Sequence, residues 1–209
     1  MRIVKEHEER RNEILDCAEE LFLTKGYSKT TVADILKKVK IAKGTFYYYF
    51  KSKEEIMEAV LIRISDIDIT AAQKVMLDDS LSAKEKIKGV LMAQKPKEND
   101  KKNAMMDQLH LPENVEIHHK SLELSIKHLA PIMGQIVIQG IDEGIMNTDY
   151  PKEVMEFVLT SASFMFDAGL FTDSEDELMK RLYAFVRSVE RMLGMEEHSM
   201  DFLLEVMLS

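Results

Sequence analysis

The chain has 209 residues, 45% of them apolar and 31% charged, with a formal net charge of −9. That apolar share is enough to bury a core and excludes wholesale disorder, while the lack of any run of about 18 apolar residues excludes a membrane span. The one cysteine, Cys17, excludes an intrachain disulfide, and the opening MRIVKEHEERRNEI lacks the apolar stretch of a secretion signal, so a cytoplasmic location is expected.

The charge is unevenly placed. Residues 1–63 carry 13 basic and 11 acidic side chains, and the remainder carries 15 basic and 26 acidic. Within this, Lys25 to Lys53 holds eight lysines and the single acid Asp34. An acidic chain that concentrates positive charge in one short block is suited to bring that block to a polyanion.

Nearly every segment has helical spacing and none alternates as a strand does, which predicts an all-α protein. The first helix is expected over about Lys5–Thr24, with the stripe Ile14, Cys17, Ala18, Leu21 and Phe22 turned inward, Cys17 acting as a small buried hydrophobe, and Gly26 ending the helix. Thr30 or Thr31 can cap the second helix, with Asp34 in its first turn, and that helix ends near Lys38. After a turn at Val39–Ile41 a third helix covers about Ala42–Tyr48. Ser52 and Glu55 read as a capping box opening a fourth helix to about Leu77.

Ser82 and Glu85 form another such box, starting a helix to about Gln94. KPKENDKK is a polar break, followed by a short helix to about His110. Leu111-Pro112 opens a long helix to about Met146, whose apolar positions recur as Val115, Leu122, Leu129, Ile136 and as Ile126, Met133, Gly140. Pro131 inside it predicts a kink. Pro151 lies in the first turn of the next helix, Ser174 and Glu177 cap another, and a last short helix holds Phe202, Leu203, Val206 and Met207.

The third helix has two faces. Phe46, Tyr49 and Phe50 share an inward side, whereas Lys43, Gly44, Tyr47 and Tyr48 share the opposite one. The outer side offers an ammonium, two phenols and a glycine that lets a strand come close, with Thr45 between the faces. Thr31 adds a hydroxyl at a positive helix end and Lys53 flanks the same region. These residues suit a groove of duplex DNA.

The stretch TVADILKKVKIAKGTFYYYFKSKEEI, after a first helix ending in a KGY turn, resembles the N-terminal helix-turn-helix of the TetR family of bacterial transcription regulators. The resemblance covers about the first quarter of the chain. It implies an N-terminal three-helix DNA-binding domain over residues 1–50 and a larger C-terminal helical domain over 51–209, bridged by the helix from about 52. It implies operator contacts from Thr31, Lys43, Gly44, Thr45, Tyr47, Tyr48 and Lys53. Two positions depart from the family pattern. Lys40 stands where a glycine is usual and where φ > 0 can be required, and Ala42 stands where a capping serine is usual.

The resemblance further implies a homodimer, a small-molecule effector held by the C-terminal domain, and no enzymatic activity or cofactor. The pair of late helices, about 152–168 and 175–193, is the expected dimer surface. Ser161, Ala162, Ala168 and Gly169 are small enough for close approach there, and Phe157, Met165, Phe185, Val189 and Met192 can fill the interface. Met105, His110, His119, Met133 and Met165 are candidates to line an effector cavity, the histidines each able to give one hydrogen bond. Glu116 and His119 form one Glu-x-x-His pair. A dinuclear carboxylate metal site needs a second copy, which is absent from the sequence, so a helical metalloenzyme is the distant alternative and no metal site is expected. The nearer alternative is a family member that activates or answers no small molecule.

Overall fold

Capping signals mark where three of the described helices begin. In the computed structural model of the chain, which describes residues 2–95, 101–166 and 174–208, Thr31, Ser82 and Ser174 each accept from the backbone three residues on and each receive the reciprocal carboxylate of Asp34, Glu85 and Glu177. The helices run α1 Arg2–Lys25, α2 Val32–Val39, α3 Lys43–Tyr49, α4 Lys53–Met76, α5 Ala83–Gln94, α6 Lys101–Leu109, α7 Val115–Asp142, α8 Pro151–Met165, α9 Glu175–Met192 and α10 Phe202–Leu208. No strand occurs among the described residues, and no described helix is long and apolar enough to cross a membrane.

Three details differ from the sequence reading. The Ser52 box is only half formed. Ser52 accepts from the Glu55 N–H at 3.1 Å, but the Glu55 carboxylate takes the N–H of Lys51 instead of that of Ser52. The long helix is preceded by a 3₁₀ turn at Pro112–Asn114 and stops at Asp142, four residues early, because Gly144 turns to φ 73° and the N–H groups of Ile145 and Met146 fold back onto the Gly140 carbonyl. The chain stays helical through Pro131. Most of the polar break after Lys95, together with Ala168 and Gly169, lies outside the described residues.

The chain divides into two compact units. One unit takes residues 1–66 and 96–123, and the other takes 67–95 and 124–209. In the first, Ile14, Leu15, Ala18 and Phe22 of α1 are buried with Ile35 of α2, Phe46 of α3, Phe50, and Ile56, Met57 and Val60 of α4. Cys17 is half-buried instead of fully inside, and burial pushes its thiol above the usual range, with Lys38 opposing. Arg63 of α4 pairs with Asp16 at 2.7 Å and with the buried Glu19, fastening α4 to α1. A lone buried carboxylate would be costly, so this partner is required.

Residues 101–123 join this unit in part through the side chain of Asn114. Asn114 is 2% exposed, its Oδ1 accepts from the Ser28 hydroxyl at 2.7 Å, and its Nδ2 donates to the Gln108 carbonyl at 2.6 Å. It ties the α1–α2 turn to the end of α6. Met105, Leu109 and Ile117 are buried beside it. The buried stripe at the start of α7 is therefore Ile117 and Leu124, whereas Val115, which the periodicity placed on the apolar side, faces solvent, as does His119.

The second unit packs α5, the later part of α7, α8, α9 and α10 around Ile87, Val90, Met133, Ile136, Met155, Leu182, Phe185, Val186 and Val189. Its helix ends are tied by side chains. The Lys86 ammonium donates to the Met76 carbonyl at 2.7 Å, the Glu143 carboxylate accepts from the Ala83 N–H at 3.1 Å, and Glu190 accepts from the Met200 N–H at 2.8 Å. Each satisfies a backbone group that a helix or turn end leaves unpaired.

Two stability changes of opposite sign are expected. Lys40 sits at φ 59°, ψ 46°, the left-handed region that costs a side-chain-bearing residue about 1 kcal/mol. Lys40→Gly should raise the thermal midpoint by about 1–3 °C. Asn114→Ala leaves the Ser28 hydroxyl and the Gln108 carbonyl without their partner and should lower stability by about 1–3 kcal/mol in urea unfolding.

Candidate nucleic-acid interface

A seven-residue helix is too short to hold itself, so α3 is positioned by what it buries. Phe46 is fully buried and Phe50, at its C-terminal end, nearly so. Helical spacing then forces the intervening positions outward. Tyr47 is 46% exposed and Tyr48 71%, with Tyr49 half-buried between the two faces. Lys43 and Gly44 are exposed and Thr45 is partly so. The Lys43 ammonium lies 5.8 Å from the centre of the Tyr47 ring, which sets a cation beside a phenol on one surface. The backbone N–H of Lys40 bonds to the Leu36 carbonyl and that of Ile41 does the same at 3.2 Å, closing α2. Ala42 gives no side-chain cap to α3, as its side chain dictates.

Gly44 has no intramolecular reason to be glycine. Its backbone is ordinary helix, and an added Cβ would meet nothing within 4 Å. Glycine in a helix costs roughly 0.5–1 kcal/mol relative to alanine. The missing side chain leaves open space on the outer side of α3.

The remaining predicted positions lie nearby with other engagements. Thr31 is exposed at the start of α2, where its hydroxyl donates to the Asp34 carboxylate at 2.7 Å and accepts from the Asp34 N–H at 3.2 Å. The Lys25 ammonium, 2.6 Å from that carboxylate, and then Thr31 hold the Asp34 carboxyl well below its ordinary range. Lys53 is turned inward. Its ammonium donates to the Tyr27 carbonyl at 3.1 Å and stands 4.1 Å above the Tyr27 ring. Tyr27 is pushed above the ordinary phenol range by burial and then by Glu54. Lys53 thus clamps the α1–α2 turn onto α4.

One partner of this face was missed from sequence. The His7 ring lies 4.7 Å from that of Tyr49 and 5.5 Å from that of Tyr48. The available signal was spacing, since His7 precedes Ile14 by one heptad on the inward stripe of α1.

The candidate effector residues are divided between the two units. Met105 is buried in the first unit, His110 is exposed there with its ring 4.8 Å from that of His118, and His119 is exposed. Met133 is buried in the core of the second unit and Met165 packs against it. Of the candidate dimer residues, Phe185 and Val189 are inside the protomer's own core, Ser161, Ala162 and Met165 are half-buried, and Phe157 and Met192 are exposed.

Residues 14–60 match the family model described as bacterial regulatory proteins, tetR family, and residues 97–188 match that of the tetracyclin repressor-like C-terminal domain. The chain is 30% identical over 134 residues to the fatty acid metabolism regulator protein of Bacillus subtilis, covering 63% of this chain and 68% of that one. It belongs to the TetR family. It is also 39% identical over 84 residues to the HTH-type transcriptional repressor KstR2 of Mycolicibacterium smegmatis, which is 40% of each chain. The chain thus spans well under half the length of that relative in the match. Among solved structures, RolR in complex with the ligand resorcinol superposes with a TM-score of 0.63 at 18% identity, covering 97% of this chain and 95% of that one, which shows the shared fold. TetR-family proteins are DNA-binding transcriptional regulators, and α2–turn–α3 is the helix-turn-helix of this one.

Gly44→Ala separates folding from binding. It should leave thermal stability equal or higher by up to about 1 kcal/mol, while affinity for operator DNA falls about tenfold, the equivalent of ~1.4 kcal/mol.

Proposed function

We propose that the protein is a homodimeric repressor that grips an operator through α3 and releases it when a small apolar or amphipathic molecule occupies its C-terminal domain. The observation that carries the DNA half is the outward face of α3, with Lys43, Gly44, Tyr47 and Tyr48 together, in a chain otherwise net negative. Ammonium and phenol groups fix such a helix on phosphates, and Thr45 can meet a base edge or a thymine methyl. Thr31 supports the grip from the start of α2 by exchanging its Asp34 bond for a phosphate.

Dimerisation follows from geometry and from exposed surface. One helix-turn-helix buries little, whereas two about 34–36 Å apart read successive major-groove faces. Phe157, 68% exposed, lies in line with the exposed Phe164 on α8, and Tyr183 and Met192 of α9 are exposed as well. An apolar stripe of this size on a soluble helix pair fits a second copy of the same chain.

Effector response requires only that the ligand prefer the conformation that DNA does not. The 15 methionines, most of them after residue 90, give a body that can repack around an apolar guest. The name of the KstR2 relative as a repressor, and the resorcinol held by RolR, support this choice over activation or an unliganded role. That α4 and α7, of 24 and 28 residues, carry the change is part of the same proposal.

The test is binding of the purified protein to duplex DNA from its own upstream region. The wild type should bind with a steep fall as salt rises, and Lys43→Ala with Tyr47→Ala should lower affinity strongly and make the logarithmic salt slope shallower by about 1 per lost phosphate contact. Unfolding should be nearly unchanged, since both side chains are exposed. A flat salt response, or full binding by the double variant, would contradict the assignment.

A further inference from the structure

Tyr48 is the most exposed aromatic on the reading face, and a solvent-exposed ring on a helix exchanges rotamers freely. Here it is braced on two sides. The Tyr49 ring meets it edge-on at 5.0 Å, and the His7 ring meets it edge-on at 5.5 Å while lying 4.7 Å from Tyr49. Tyr49 belongs to α3 itself. His7 comes from α1, which is anchored by the buried Ile14, Leu15, Ala18 and Phe22. A cleft of about 480 Å³ opens beside this cluster, with Thr45, Tyr48 and Tyr49 on one side and His7, Arg10 and Glu13 on the other. Arg10 pairs with Glu13 at 2.5 Å.

We infer that His7 is a positioning residue for operator recognition: its ring, supplied from outside the helix-turn-helix, presets the direction of Tyr48 before DNA arrives. The inference rests on the reading that Tyr48 touches the operator. Its physical content is preorganisation. A side chain already held in its bound rotamer loses less freedom on binding, an effect of about 2- to 12-fold in affinity. Any planar aromatic ring at position 7 performs the task, since edge-to-face contact depends on the ring quadrupole and not on an imidazole nitrogen.

A double-mutant cycle on operator binding, with circular dichroism and thermal unfolding as fold checks, tests this. His7→Ala should weaken binding about 2- to 12-fold without changing the salt slope, because no phosphate contact is lost. His7→Phe should restore wild-type affinity. In a Tyr48→Ala background, His7→Ala should cost nothing further. An unchanged affinity for His7→Ala, an equal loss in both backgrounds, a shallower salt slope, or failure of His7→Phe to rescue would each overturn the inference. If Tyr48→Ala alone leaves binding intact, the contact assigned to Tyr48 has failed, and the brace falls with it.

Discussion

Burial of Phe46 and Phe50 is the interaction on which the functional surface depends. A helix of seven residues has too few hydrogen bonds to stand alone. Two phenyl rings sunk into the core of the first unit hold it, and truncating one such ring typically costs about 3–5 kcal/mol, a large share of a domain's stability of about 5–15. Once those rings point inward, helical geometry leaves Lys43, Gly44, Tyr47 and Tyr48 no choice but to point out. The same anchoring fixes how the cation, the phenols and the gap left by Gly44 stand relative to one another. A groove-binding helix requires that order before it meets DNA.

The second determinant is charge. The lysine block is confined to the segment that carries α2 and α3, and part of it is spent within the chain. Lys25 neutralises Asp34, Lys38 pairs with Glu20, and Lys53 caps the Tyr27 carbonyl. Lys43 has its ammonium beside a tyrosine on the exposed face. The lysines therefore divide into those that set the turn and α2 in place and those that stay available to a polyanion. Under the proposed reading, the acidic remainder disfavours contact with DNA elsewhere on the chain.

Much of this was legible in the residues. Helix starts follow short side chains that hydrogen-bond backbone donors, a local interaction that the spacing of Ser82–Glu85 and Ser174–Glu177 declares outright and that left Thr30 and Thr31 both open for α2. The inward Phe46 and Phe50, the left-handed Lys40 and the uncapped Ala42 were equally local. What escaped was long-range. Ser28 and Asn114 are 86 positions apart, and nothing in either neighbourhood announces that residues 101–123 join the N-terminal helices. Periodicity marks an apolar stripe without saying what meets it. Phe185 and Val189 therefore read as partner surface when they fill the chain's own core, and Val115 read as inward while Ile117 and Leu124 take that place. Lys53 looked available because a sequence shows its charge and not the carbonyl that it serves.

Hydrogen exchange on the protein with and without a duplex from its own upstream region tests the central claim most directly. Slowed exchange concentrated in residues 31–49, with residues 67–95 bearing none of the direct protection, is the expected pattern. Protection confined to the second unit, or none at low ionic strength, would contradict the account.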